Sequence, residues 1–582
     1  DDIRKPFKIL NNNTKNLELE NSNSQISLGK SAQARVVEKQ VKLEVKSQLN
    51  NDWKVSVNHV DLRSNKLQFN DANMPMQKRG IDYGHMGLSN LNLQASDFFF
   101  SIDSTSGDIA KASFRDKSGF ILDEFRSKFV YTNTGATFND LYARTPGTLL
   151  RDYISIKYPS LESISKNPGL MGIKANLVNS RLGFKDVLLL VPQLATMDPF
   201  KRSPNAVLNI NGNITGRVGN LNFPKMDISG LGNTRIAASG HITGLPDMNK
   251  AVFKINLREF KSSSRDLNRL ISPGIIPSNI RLPQSFNLSG TFNGAMTDFK
   301  TNLLLHSSFG SARVNGTMRS TTRKGSETYQ GIVQLNNFNV GQLIKQDTLM
   351  GRVNATAKIS GSGLDPKYMT AKFSMAAKSV ELKGYNYKNL VLNGNIVHQN
   401  VSLVARMDDQ NIRFKLNAKA NIKNTYPALN LVLDIDSLNL QKLKFYDKDL
   451  RFRGRIVANM PSTNPDRLIG TVQASNLIIA ANGKRYQLDS VNVNASANGE
   501  VKDLRVRSEF LTASLKGKYN LTEIGNSLTN EINKYFKIGN GKILPVSKAQ
   551  DLSFALNITQ QPILKEFIPL LTKLEPVSIS GT

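Results

Sequence analysis

The sequence predicts an all-β protein built on a long antiparallel β-sheet, and three observations carry that prediction. Short runs alternate between apolar and polar residues with the period of two that a strand imposes. The runs are separated by Gly, Asn and Pro turns and return in varied form along the chain. Helical periodicity is scarce, while Asn, Ser, Thr and Gly crowd the polar positions. The clearest run is Phe286 to Asn293, FNLSGTFN. Phe286, Leu288, Gly290 and Phe292 share one parity, and Asn287, Ser289, Thr291 and Asn293 share the other. Such a strand has one dry face and one wet face.

Taken in order, the first part, from Ile3 to about Ala95, holds short alternating segments such as WKVSVNHVDL (Trp53 to Leu62) and NKLQFND (Asn65 to Asp71). Strand pairs joined by polar turns are the simplest reading, with a loop over Met74 to His85. The run Phe98, Phe99, Phe100 cannot point one way, so at least one ring is expected under a loop or crossing element. Lys111 to Ile156 continues as strands, and Ser160 to Gly172 fits a helical turn or two ending at Pro168 and Gly169.

From Val207 a repeat becomes readable in VLNINGNITGRVGNL (Val207 to Leu221), FNLSGTFNGAMTDF (Phe286 to Phe299), VNATAKISGSGLDP (Val353 to Pro366), LVLNGNIVHQNVSL (Leu390 to Leu403), FRGRIVANMPSTNPDRL (Phe452 to Leu468) and VNVNASANGEVKDL (Val491 to Leu504). Each is an alternating run, a turn and a returning strand. Unequal spacing argues for a long meander and against a strict solenoid. The chain is therefore divided into an N-terminal part of the sheet, 1–200, and a repeat-rich continuation, 201–582. Short helices are expected at 264–271, capped by Ser263 or Ser264, at 520–536, and at 564–574 with a kink at Pro569. Packing as caps against the sheet is their expected role.

Composition narrows the function classes. Lys and Arg number 76 against 46 Asp and Glu, a formal net charge of +30. These cations are spread over outward strand positions such as Arg352, Lys358, Arg453 and Arg455, where they keep a sheet soluble. No helix-turn-helix, zinc finger or aromatic-basic platform is present, so nucleic acid is not an expected partner. The absence of cysteine removes disulfides and thiol chemistry. The longest apolar run, Val187 to Val191, is far below the roughly 20 residues of a spanning helix. The chain begins at Asp1 and ends at Thr582 within a strand-like SISGT, and is read as a segment of a longer protein.

Catalytic machinery is missing. His59, His85, His241, His306 and His398 stand in five separate contexts without metal-ligand spacing. No GxSxG or GxxxxGK[ST] motif occurs, and GNITGRVGN (Gly212 to Asn220) lies between two strands, as a turn. Asp408 and Asp409 would face opposite ways in a strand; Asp434 and Asp436 share a parity but precede SLNLQKL and mark a strand end. Neither enzyme activity nor any cofactor or metal is expected.

Longer stretches carry a family resemblance. Gly244 to Ile271, Ile276 to Thr317, GIDYGH (Gly80 to His85), SGFILDEFRSKFVYT (Ser118 to Thr132) and YPSLESISKNPGLMG (Tyr158 to Gly172) resemble the periplasmic TamB proteins of Bacteroidetes-type bacteria, members of the AsmA-like superfamily. The resemblance implies an elongated, curled β-sheet forming an open hydrophobic groove of the β-taco type. It also implies a parent protein in the periplasm of a Gram-negative bacterium, held in the inner membrane by an N-terminal helix and meeting a TamA- or BamA-type outer-membrane barrel through its C-terminal region. The segment contains neither end.

The dry faces then become the candidate site, carrying phospholipid acyl chains between inner and outer membranes. The expected lining residues are Leu288, Phe292, Val353, Ala355, Ile359, Leu392, Ile396, Leu431, Leu433, Ile435, Ile456, Val491 and Val493. Two other readings stay open. One is a scaffold for assembling outer-membrane barrels by strand addition at a sheet edge; the other is a carbohydrate-active β-helix with a packed interior.

Overall fold

A computed structural model describes residues 12–28, 54–101, 103–160, 163, 166–271, 274–320, 325–536, 543–567 and 575–582. Thirty strands and a few short helices make up these residues, as the all-β reading requires. The chain divides into two compact units, Asp1–Ser308 and Phe309–Thr582. Residue 200, where the repeat becomes easier to read, falls inside the first unit, after α1 (Phe184–Leu190).

In the first unit, β3 (Lys54–Asp71) opens an antiparallel meander that runs strand by strand to β15 (Phe299–Ser307). The second unit repeats the plan from β16 (Gly310–Arg319) to β30 (Val577–Gly581). Among the described residues, no pairing joins the last strand of a unit to its first, so each sheet is open.

The N-terminal edge departs from the expected hairpins. β1 (Asn12–Glu20) and β2 (Asn23–Leu28) both lie parallel to β3, one along each half of it. A parallel pair cannot be closed by a tight turn and needs a longer connection, here residues 29–53. The side chain of Asn65 splices the break between them, donating to Leu19 O (2.9 Å) and accepting from Ser22 N (2.8 Å). Trp53 lies outside the described residues.

The strands run to as many as 18 residues, longer than the alternating runs suggest. β-Bulges make this possible by inserting a residue and restoring the parity of the dry face. In β13 (Val252–Ser263), Leu257 opposes Gly290 and Phe260 opposes Leu288, so Arg258 and Glu259 form the bulge. In β17 (Thr328–Asn339), Leu335 opposes Ala355 and Phe338 opposes Val353. In β23 (Ala428–Asn439), Ile435 opposes Gly454 and Leu438 opposes Phe452. Asn90, Asp97, Asp140, Asn337 and Asn476 adopt positive φ at such irregularities, where a short polar side chain tolerates the left-handed region.

In each unit these bulges sit near one rim of the sheet, and short elements follow there. α2 (Ser264–Leu270) comes after β13, its first turn capped by Ser263, whose Oγ accepts from Asp266 N at 3.1 Å. α3 (Val340–Leu343) follows β17 and packs on β18 (Met350–Ser362). The turn over 440–446 follows β23 and puts Leu443, 1% exposed, against Tyr387 and Met407. α4 (Ile524–Asn533) is shorter than the expected 520–536 and follows β28 (Leu511–Lys518), at the opposite rim. α5 (Leu564–Phe567) begins the expected helix at 564–574, of which 568–574 lie outside the described residues. Just before it, Ile563 packs on Leu477 and Leu488.

The three phenylalanines resolve by parity alone. Phe98 and Phe100 oppose Val57 and Val55 on the dry face, and Phe99 opposes Ser56 on the other. Phe98 packs among Val57, Val60 and Ala95.

Candidate functional site: the dry face

Residues directly opposite in a ladder point to the same side of a sheet, so the register traces each face. In the second unit one row runs through every strand. It begins Gly316, Gly331, Ile359, Phe373, Gly394, Leu403, Ala418, Leu431 and Ala458. It continues through Val472, Val493, Val506, Ala513, Leu556 and Ile579. Strands spaced by about 4.8 Å make this an unbroken apolar track on the order of 65 Å long measured along the sheet. Beside it a second row, Val333, Ala357, Met375, Leu392, Ala405, Leu416, Leu433, Ile456, Ala474 and Val491, is equally free of polar side chains.

In the first row glycines stand next to large side chains. A Cβ on Gly394 would come within 2.5 Å of Phe373 Cζ, so the ring lies across the glycine and fills its place. The first unit has the same construction, with rows such as Gly107, Phe129, Phe138, Ile154, Ala175 and Ile214.

All thirteen sequence-predicted residues fall on the dry face. Leu288 and Phe292 lie on β14 (Ser285–Gly294) of the first unit, opposite Phe260 and Ile255. The other eleven belong to the second unit, seven of them on the two rows above and Val353, Ala355, Ile396 and Ile435 on neighbouring positions of the same face. They differ in packing. Val353, Ala355 and Ile435 are buried near the bulged rim, Val353 and Ala355 in a core with Ala377 and Val380. The remaining residues are half-buried except Ile359, which is 42% exposed. The dry face is therefore sealed by side chains and caps along one rim and carries partly accessible apolar atoms beyond it.

Extending the same parity would have found Val333, Phe373, Met375, Leu403 and Leu416. Leu443 and Ile563, which seal the rim, carry no such signal because they lie outside the alternating runs.

A hollow opens on this face near its C-terminal end. About 910 Å³ in volume, it lies between α4 and the dry face of β27 (Val501–Ser508), β28 and β29 (Asp551–Ile558). Leu504, Val506, Leu515 and Phe554 form its floor and Ile524 and Leu528 its roof. That size lies within the range of small-ligand sites. Tyr519, which follows β28, is buried, and burial with the nearby Asp503 charge pushes its hydroxyl up to about 12.

Exposed ion pairs stand on the wet side of the strands, while Asp409, Lys484 and Lys502 take the dry-face parity near the rims. Arg258 with Asp227 (3.0 Å), Arg455 with Asp434 (2.9 Å) and Arg505 with Asp503 (2.7 Å) are solvent-facing pairs. Such pairs contribute at most about 1 kcal/mol each and set polarity more than stability. Asp408 and Asp409 do face apart: Asp408 pairs with Arg413 at 2.8 Å, while Asp409 is buried and accepts from Tyr385 Oη, Lys388 N and Asn411 N. Asp436 sits in the β23 bulge, and the pair does not mark a strand end, since β23 continues to Asn439. His85 is buried and bonded to Asp82 at 3.1 Å. Among the described residues, no group of three or more His, Asp or Glu is placed to hold a metal ion.

No family model, curated protein or solved structure matches the chain.

Proposed function

We propose that the chain is a conduit for phospholipids, carrying acyl chains along the dry face while headgroups stay at its rim, and that it works in the periplasm of a Gram-negative bacterium between inner and outer membranes. The observation that carries this reading is the uninterrupted apolar row from Gly316 to Ile579. A closed core needs apolar residues that bury one another. Here much of the face keeps partial exposure, and a contiguous apolar surface of that extent calls for a partner. An acyl chain supplies one at about 0.8 kcal/mol per buried methylene, on the order of 12 kcal/mol for sixteen carbons. Movement along the row costs little, because each methylene exchanges one apolar neighbour for another. The resemblance to the TamB family supports the same reading and adds an outer-membrane barrel of the TamA or BamA type as partner of the parent protein.

Native mass spectrometry of the purified chain tests the binding step. The expected spectrum contains phospholipid adducts that detergent exchange removes. A chain that carries no lipid, even after incubation with phospholipid vesicles, overturns the proposal. Co-purified nascent barrel polypeptide in place of lipid would favour the assembly scaffold.

A further inference from the structure

The rim of the first unit holds a concavity of its own. The loop 72–84 between β3 and β4 (His85–Ser101), the turn after β5 (Ser104–Asp116), and α1 with the residues after it enclose about 650 Å³. Four cations come from three distant parts of the chain to line it: Lys78, Arg79, Lys117 and Lys185. None of the four forms an ion pair among the described residues. One carboxylate, Asp82, shares the lining, but it is occupied, accepting from Gln77 N (2.9 Å), Gly84 N (3.2 Å) and His85 Nδ1 (3.1 Å). Between the cations the wall is apolar, formed by Met76, Leu188, Leu189 and Pro192.

The walls are fixed to each other. Ile81 N donates to Leu189 O at 2.7 Å, and Tyr83 Oη donates to Leu190 O at 3.1 Å. Gly80, at φ +73°, packs so closely that a Cβ would come within 2.4 Å of Pro192 Cγ. Lys117 N donates to Gly87 O at 2.9 Å and holds the third wall. Like charges gathered around a concavity repel one another unless an anion occupies it, and the apolar wall offers a further contact to a ligand with a hydrocarbon portion.

We infer that this pocket binds an anionic amphiphile, with a phosphate-bearing head among Lys78, Arg79, Lys117 and Lys185 and an apolar segment against Met76, Leu188 and Leu189. The site goes beyond the conduit and does not depend on it, since it would hold such a ligand whether or not lipid moves along the dry face.

Isothermal titration calorimetry of the whole chain tests this with three soluble probes: dihexanoyl-phosphatidylglycerol, dihexanoyl-phosphatidylcholine and inorganic phosphate. Phosphatidylglycerol is expected to bind at least about tenfold more tightly than either of the others. Rising salt is expected to weaken it. Lys78→Glu with Lys185→Glu, and independently Arg79→Ala with Lys117→Ala, are each expected to weaken it by about tenfold or more. Both cation variants are expected to keep the phospholipid adducts of the dry face, so loss of the conduit and loss of this site are told apart. Equal binding of phosphatidylcholine overturns the role of charge, and equal binding of phosphate overturns the apolar wall and leaves a plain anion site. Undiminished binding by both cation variants overturns the location.

Discussion

Two arginines placed on the dry row interrupt the track without disturbing the sheet around them. Ile359 is 42% exposed and Leu431 half-buried, both on the row that crosses the second unit, so the chain Ile359→Arg with Leu431→Arg keeps its ladder hydrogen bonds and its wet face. An acyl chain passing either guanidinium must strip it of water. A charge in hydrocarbon surroundings costs about 3 kcal/mol even where it can partly escape to solvent. One such barrier slows passage by roughly a hundredfold, at 1.36 kcal/mol for each factor of ten. The assay is transfer of a fluorescent phospholipid from donor to acceptor vesicles by the purified chain. Lys358→Asp, one residue from Ile359 on the wet face, is the matched control and is expected to transfer normally. Circular dichroism and the melting temperature establish that each variant is folded. A folded double-arginine variant that transfers lipid at the wild-type rate refutes the reasoning.

Four further outcomes follow from local chemistry. Asp409→Ala leaves Tyr385 Oη and the Lys388 and Asn411 amides without their acceptor and is expected to destabilise the second unit by about 2–4 kcal/mol in urea unfolding. Phe184→Ala, removing a 2% exposed ring whose centroid lies 4.4 Å from that of Phe200, is expected to cost about 3–5 kcal/mol in the first unit by the same measurement. Gly290→Ala places a Cβ 2.0 Å from Asn302 O at φ +131°, and a loss of about 2 kcal/mol or more is expected in thermal unfolding, whereas Ser289→Ala next to it is expected to be near neutral. Tyr519 ionises at about 12 in the folded chain and near 10 once unfolded, so its contribution is complete below pH 10 and is lost as pH rises towards 12; a tyrosinate absorbance titration is expected to show a late step that Tyr519→Phe removes.

The dry face was legible because side-chain direction in a strand depends only on parity, and Phe286 to Asn293 states that parity without a break. The bulges were not. Between Leu335 and Phe338 the two asparagines look like a lapse in alternation, and only the partner strand shows that Phe338 rejoins Leu335 on the same face. The parallel placement of β1 and β2 was hidden for a related reason, since neither strand's sequence specifies which edge it joins. α1 was hidden by composition. DVLLLV reads as a buried strand, and what makes it helical is its docking at the rim, with Phe184 against Phe200 and Asp186 held by Thr145 and Thr148. The cation-lined pocket could not be read at all, because Lys78, Lys117 and Lys185 are each ordinary surface lysines until the meander brings their strand ends together.

Photocrosslinking face by face tests the central claim most directly. A photoreactive amino acid placed in turn at Ile359, Leu403, Leu431 and Val493 on the dry row, and at Lys358, Ser402, Val432 and Asn492 on the opposite face, reports what each side touches in the cell. The account predicts phospholipid adducts at the four dry positions and none at the four wet ones. Adducts spread equally over both faces, or dry positions that capture only neighbouring side chains of the same sheet, would contradict it.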